Sequence, residues 1–379
     1  MENLDLIKNN DKLQGDKIGV FFGTFAPLHV GHQAEIYKAA ALNDGVLVVT
    51  SGYKDDRGSQ IGLPLEKRFR YLRQAFSDEW QIKVDMLNED DLPVMPNGWD
   101  EWLERLLGIV KKHLSNPDAK ITFYTGEEDY KKELEKRLPA NQYTVSVMDR
   151  TILNISATEI RKNPLEYWDY INRSFRRHFV QKVVVMGGAN SGKSTLIRRL
   201  ARSANAPFGL DYVEKYQEES NVTDSEMNVK DFANIITSTY QWNSHEINSP
   251  SNNGLTIFNG DVMSVKAFSN LVLSTEDQAK VASLYDTTIA AEEIDLILII
   301  PPFEDVNRTV FHTTKSTIDQ KKYHQELLKV ISEYGFSSKV VILDAPNSNE
   351  DPVGYYGRYL QAMDAIEKYT GFDIEHHKI

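Results

Sequence analysis

Short apolar runs rich in β-branched residues recur along the chain, each followed by a longer stretch with helical spacing of its apolar positions. In the first half, Ile18 to Gly23, Val46 to Ser51, Ile82 to Met86, Ile121 to Thr125 and Thr144 to Val147 read as strands. Helical patterns between them include His32 to Leu42 and Trp99 to Leu114. The rhythm restarts with strands at Lys182 to Met186, Leu255 to Phe258, Leu296 to Ile300 and Val340 to Leu343. Among the intervening amphipathic stretches, Val229 to Ile247 places Phe232, Ile235, Ile236 and Trp242 on roughly one side. Strand and helix in alternation predict an α/β chain with parallel sheets and right-handed crossovers.

At 379 residues the chain is long enough for two cores of ordinary size. Asn163-Pro164 ends a helix, because a residue before proline avoids αR geometry. The aromatic and basic stretch up to Phe179 reads as packed rather than flexible. The expected organisation is a polar tail over 1–16, a first domain over 17–163, a helical linker over 164–181 and a second domain over 182–379.

Composition narrows the function classes. A formal charge of -12 and a pI near 5.3 give no broad positive field for nucleic acid or anionic lipid, so any phosphate site must be local. The sequence has no Cys, which removes disulfides, thiol nucleophiles and Cys-ligated zinc. MENLDLIKNNDKLQGDK lacks an apolar signal-peptide core, and no run of 18 apolar residues occurs, so a soluble cytoplasmic protein without membrane insertion is expected. Oligomeric state stays open, self-association included.

Two segments carry chemistry. The first follows the strand at Ile18: Gly23-Thr24-Phe25-Ala26-Pro27-Leu28-His29-Val30-Gly31-His32, after which helical spacing begins. A helix N-terminus there offers unpaired N–H groups to phosphate, with Gly23, Thr24, Phe25 and Gly31 in the nucleotide-binding turn. His29 and His32 can donate to oxygens on which charge builds as pyrophosphate departs, while the alternative is that they only cap a turn. Further on, Ile155-Ser156-Ala157-Thr158-Glu159-Ile160-Arg161 fits a capping box and would also present Ser156, Thr158 and Arg161 to a phosphate.

The second is Gly187-Gly188-Ala189-Asn190-Ser191-Gly192-Lys193-Ser194, a P-loop between a strand and an amphipathic helix. Gly187, Asn190, Ser191, Gly192 and Thr195 would cradle phosphates, Lys193 would reach the β- and γ-phosphates, and Ser194 would ligate Mg²⁺. Asp261, just past a strand, is the acidic candidate for the metal, the substrate or the attacking hydroxyl; helix N-capping is its alternative. Arg308 is the lid candidate over the γ-phosphate, with a solvated surface charge as alternative.

G-x-F-x-P-x-H-x-G-H and I-S-x-T-x-x-R together resemble the nucleotidylyltransferase superfamily. Within it, GTFAPLHVGHQAEIYKA, DDRGSQIGLPLEKRFRYL, MPNGWDEW and ISATEIRKNPLEYWDYI look like the adenylyltransferase domain of the NadR family, over nearly all of 17–172. The resemblance implies a Rossmann-like domain in which the phosphate of nicotinamide mononucleotide attacks the α-phosphorus of ATP, giving NAD and pyrophosphate without a covalent enzyme intermediate. Mg²⁺ would be held mostly by ATP. Trp99, or else Trp102, would stack on the nicotinamide ring, with core packing as the alternative for Trp102.

The P-loop half is similar to the family's ribosylnicotinamide kinase, with two departures. Asp211-Tyr212-Val213-Glu214 stands where E-Y-x-R is usual, and Phe258-Asn259-Gly260-Asp261-Val262 where I-D-T-D-F is usual. The implied function is a two-step salvage enzyme whose small-molecule partners are nicotinamide riboside, nicotinamide mononucleotide and ATP. The alternative keeps the adenylyltransferase and makes the P-loop domain a nucleotide sensor or a kinase for another small substrate. Longer members carry a helix-turn-helix domain, for which residues 1–16 are too few, so no DNA binding is expected. His376-His377 reads as a frayed terminus.

Overall fold

The computed structural model describes residues 12–148, 155–302, 318–346, 348–351 and 354–374. It divides between Phe179 and Val180 into two compact units, each with its own parallel sheet.

In the first unit, β1 (Lys17–Gly23), β2 (Gly45–Gly52), β3 (Ile82–Asn88), β4 (Lys120–Thr125) and β5 (Tyr143–Val147) lie in the order β3-β2-β1-β4-β5. Every neighbouring pair is parallel. Ile18, Val20 and Phe21 of β1 and the run Val46, Leu47, Val48, Val49 of β2 are all buried. Continuous apolar strands of this kind require helices on both faces. Strand order reverses at β1, so the crevice beyond its C-terminal end, where Gly23 begins the histidine turn, is the place for a ligand.

The second unit holds β6 (Gln181–Met186), β7 (Leu255–Asn259), β8 (Leu296–Ile299) and β9 (Val340–Ile342) in the parallel order β7-β6-β8-β9. Its core packs Phe232, Ile235 and Ile236 of the helix Val229–Ile247 against Phe258, Val262, Phe268 and Ile297. Residues 207–209 run along the outer edge of β7: Gly209 N–H donates to Ile257 O (2.9 Å), and Ile257 N–H to Pro207 O (3.2 Å).

The expected α/β architecture with parallel sheets is the one observed, and every expected strand lies within two residues of an observed one. One reading is sharpened and one corrected. Trp242 lies at the margin of the buried side of its helix, half-buried beside Tyr212, while that side continues through Thr239 and Asn243. The stretch expected as a linker belongs, through Phe179, to the first unit. Trp168, Phe175 and Phe179 are buried, the Arg177 guanidinium lies 3.9 Å from the Tyr71 ring centroid, and His178 Nε2 meets Ile61 O at 2.7 Å.

Candidate active sites

The histidine turn is held from several sides. His29 is the N-cap of the helix Val30–Leu42, and its Nδ1 accepts from the His32 backbone N–H at 3.4 Å. An Nδ1 that accepts leaves the ring proton on Nε2. The two imidazoles stack with centroids 3.7 Å apart, and the Phe25 ring meets His32 edge-on at 5.2 Å. A Cβ at Gly31 would come within 3.1 Å of His29 Cε1 and Nδ1, so the glycine makes room for the His29 ring. Phe25 is 4% exposed at φ 47°, a left-handed backbone that only surrounding packing sustains in a non-glycine residue. Its ring is therefore packed within the fold beside His32.

Two guanidiniums converge on the same turn. Arg161 donates to Ala26 O (2.8 Å) and Thr158 Oγ1 (2.9 Å), while Arg57 donates to Thr24 Oγ1 (2.8 Å). Burial, with the like charge of Arg57, lowers the Arg161 pKa below its ordinary value. A pair of cations held together this way is stabilised by an anion between them. Ser156 makes the full capping box with Glu159, and its Oγ donates to Glu159 Oε2 (2.7 Å), so the capping alternative is realised.

Arg57 lies in the stretch DDRGSQIGLPLEKRFRYL, within which sequence reasoning singled out no site residue. Its loop is fixed by the buried pair Arg68–Asp56, in which Arg68 Nη1 and Nη2 donate to Asp56 Oδ1 (2.9 Å) and Oδ2 (2.7 Å). Burial alone would raise Asp56, but hydrogen bonds from Arg68 and Ser59 prevail and hold its carboxyl below the usual range. Residues 171–172, at the end of the stretch ISATEIRKNPLEYWDYI, were likewise given no role: Ile171 bridges to His29, Asn172 N–H donates to Leu28 O (3.0 Å), and Asn172 Nδ2 donates to Gln33 Oε1 (2.9 Å). Trp102 is 2% exposed and donates to Glu89 Oε1 (3.0 Å), the core alternative. Trp99 is half-buried, edge-on to Tyr130 at 5.0 Å, and keeps the ring-stacking candidacy.

In the second unit, the P-loop joins β6 to the helix Lys193–Ala204 as expected. Asn190 (φ 62°) and Gly192 (φ 88°) take left-handed backbone, and a Cβ on Gly192 would stand 2.6 Å from the Tyr355 ring. Lys193 Nζ donates to Gly188 O (3.0 Å); burial lowers its pKa, opposed by the charges of Asp211 and Glu214. Beside the turn, Ser191, Thr195, Arg199, Tyr355 and Arg358 line a small pocket. Asn259 Nδ2 lies 3.1 Å from Ser194 Oγ, and its buried Oδ1 has no hydrogen-bond partner.

Asp261 departs from its expected role. It is 1% exposed, it N-caps the helix Val262–Val272 by accepting from Ser264 N (3.0 Å) and Oγ (3.2 Å), and it hydrogen-bonds carboxyl to carboxyl with Glu292. Burial pushes Asp261 up to about 6, and burial beside Asp261 lifts Glu292 well above the usual range, so the pair shares a proton. The capping alternative is thus realised through Oδ1. Arg308 lies outside the described residues. Sequence reasoning also passed over Tyr212 and Trp242, whose rings lie 5.9 Å apart with Lys215 Nζ 4.2 Å from the Trp242 centroid.

No helix among the described residues is long and apolar enough to cross a membrane, and they contain no cluster of three or more His, Asp or Glu that could hold a metal. The profile of the AAA domain family matches residues 182–348. The trifunctional NAD biosynthesis/regulator protein NadR of Salmonella typhimurium is 25% identical over 366 residues, 93% of this chain and 83% of that protein. Its Escherichia coli K12 counterpart is 25% identical over 372 residues, 94% and 84% of the two chains. Two crystal structures of NadR protein, one in complex with NR and one with NAD and AMP-PNP, are 50% identical. They match 96% of this chain and 98% of their own, with TM-scores of 0.86 and 0.85.

Proposed function

The chain belongs to the NadR family, and on that premise we propose that it makes NAD from nicotinamide riboside in two ATP-dependent steps. The second unit phosphorylates the riboside, and the first transfers an adenylyl group to the resulting mononucleotide. The observation that carries this reading is two phosphate sites of different make on one chain: a histidine turn flanked by two arginines, and a P-loop flanked by carboxylates.

In the first site the mononucleotide's phosphate oxygen attacks the α-phosphorus of ATP, the bond to the β-phosphate oxygen breaks, and pyrophosphate leaves. The nucleophile is already ionised, so no protein base is needed. His29 Nε2 and His32 donate to the departing oxygens, Arg57 and Arg161 hold the phosphates together, and the turn Gly23–Thr24 receives them on backbone. Trp99 offers the face for the nicotinamide ring.

In the second site the P-loop N–H groups and Lys193 hold ATP, with its nucleoside end toward Tyr355 and Arg358. The Tyr212–Trp242 pair, where an ammonium already rests, suits the cationic pyridinium ring of the riboside. Ser194 Oγ and the unpartnered Asn259 Oδ1 are hard oxygen donors that fit Mg²⁺ held chiefly by phosphates and water. When bound there, that ion would neutralise charge between the β- and γ-phosphates.

The test is to incubate purified protein with ATP and Mg²⁺ plus either nicotinamide riboside or nicotinamide mononucleotide, following products by chromatography. NAD from both substrates is the expected result. NAD from the mononucleotide alone would remove the kinase step, and tight nucleotide binding without turnover would make the second unit a sensor.

A further inference from the structure

We propose that the buried Arg68–Asp56 pair is the positioning element of the adenylyl-transfer site, with Arg68 acting through Asp56 to aim the Arg57 guanidinium at the phosphates. The proposal rests on the adenylyl-transfer reading above and adds to it what keeps an exposed arginine in register with the histidine turn.

Arg57 stands on the connection between β2 and the helix Leu65–Ala75, it is exposed, and it donates to Thr24 Oγ1 from Nε (3.2 Å) and Nη2 (2.8 Å). A long solvated side chain loses rotamer freedom on taking one orientation, so its use in a site depends on how firmly its backbone is set. Asp56 sets it: Oδ1 accepts from Gly58 N (2.9 Å) and Ser59 N (2.8 Å), which closes the chain around residue 57. Arg68 then fixes that carboxylate by gripping both oxygens, and its Nη2 also donates to Ser51 O (3.3 Å) near the end of β2. Thr24 is held from the same strand, because Thr50 Oγ1 donates to Thr24 O (3.3 Å). Both ends of the Arg57–Thr24 contact are therefore registered on β2.

The make of the pair argues for aim rather than for stability. Arg68 is 0% exposed and Asp56 4%. Two charges taken wholly out of water recover little net stability, and apolar side chains of the same volume would fill the space as well. What apolar side chains cannot supply is a planar, two-pronged grip that fixes a carboxylate in angle as well as in distance. The backbone is cut to that shape. A Cβ at Gly52 would collide with Arg68 Nη2 and one at Gly58 with Nη1, so the two glycines clear the space that the guanidinium occupies. The same strand end reaches the ring side of the site. Ser51 hydrogen-bonds Glu89, Glu89 Oε1 accepts from Trp102 Nε1 (3.0 Å), and the Trp102 ring stands edge-on to Trp99 at 5.9 Å. The aim of Arg57 and the face offered to the nicotinamide ring thus share one scaffold.

A double-mutant cycle in the full chain tests the assignment, read as NAD formation from supplied mononucleotide and ATP. Arg68→Lys keeps the charge and loses the fork. It is expected to lower kcat/KM about tenfold, as is expected of Arg57→Ala, and to make KM more salt-sensitive in the same way. In the Arg57→Ala background, Arg68→Lys should cost less than about twofold more, because the group it aims is gone. Where the melting curve shows that Arg68→Lys unfolds the first unit at the assay temperature, Asp56→Asn takes its place, since its Oδ1 still accepts from the turn. Several results would overturn the proposal and make the pair a stability element: losses that multiply independently in the cycle, Arg68→Lys activity within about twofold of wild type, an unaltered salt response, or unfolding of both variants. An Arg57→Ala chain as active as wild type overturns it as well, because nothing would then need aiming. A wild-type chain that forms no NAD from mononucleotide and ATP sinks the adenylyl-transfer reading itself, and this proposal with it.

Discussion

The two sites hold the same kind of ligand with opposite electrostatics. Around the histidine turn the local carboxylates are spent, Asp56 on Arg68, Glu159 on Ser156 and Glu89 on Trp102, which leaves Arg57 and Arg161 as the charges that face a ligand. Around the P-loop the balance is reversed: Lys193 faces Asp211 and Glu214, with the Asp261–Glu292 pair nearby. Chemistry accounts for the difference. A phosphate nucleophile arrives without a proton to lose and needs its repulsion from ATP screened, so cations and donors suffice. A hydroxyl nucleophile must shed a proton, so a phosphoryl-transfer site has to tolerate a carboxylate beside polyphosphate, and the P-loop lysine offsets it.

If that contrast is correct, the largest effect should come from removing a donor in the first site. His32→Ala should lower kcat for NAD formation by about 10²–10³-fold and leave riboside phosphorylation untouched, measured on one preparation with each substrate. A loss in both steps would mean that His32 is structural. Arg57→Ala should cost less, about tenfold or somewhat more in kcat/KM, with a KM that grows more salt-sensitive. No change would show that Arg57 serves only Thr24.

The smallest effect is on stability and concerns the second unit. An Asp carboxyl ordinarily near 3.8 is raised in the fold to about 6, and burial beside Asp261 raises Glu292 well above its ordinary range. The folded state therefore binds protons that the unfolded state has lost. Its contribution is full below about pH 4 and disappears as pH rises through 6 and beyond. The second unit should melt lower at pH 8 than at pH 5, on the order of 5 °C, and Glu292→Gln should flatten this slope. A slope unchanged by that substitution would mean that the two carboxyls do not share a proton.

Most of the fold was legible because apolar runs bounded by turn residues are a local signal. So were the two phosphate turns, whose glycines and histidines are contiguous. What escaped was placement by topology. Arg57 lies 33 residues from Thr24 and reaches it only because β2 lies beside β1. Glu292 meets Asp261 because two helices end at one place, which no spacing announces. Asp261 was read as chemistry because of its strand-end position, and its burial was not visible in the sequence.

Residues 171–172 bear on how the protein can be cut. The turn that carries both histidines is fastened by Ile171 and Asn172, which lie beyond the Asn163-Pro164 helix end where a first domain would naturally be trimmed. A shortened gene product stopping near residue 163 would keep the whole five-stranded sheet yet lose its brace, and would be expected to express as a folded but catalytically poor fragment. The smallest piece fit for crystallisation or inhibitor screening against the adenylyl-transfer step runs to Phe179.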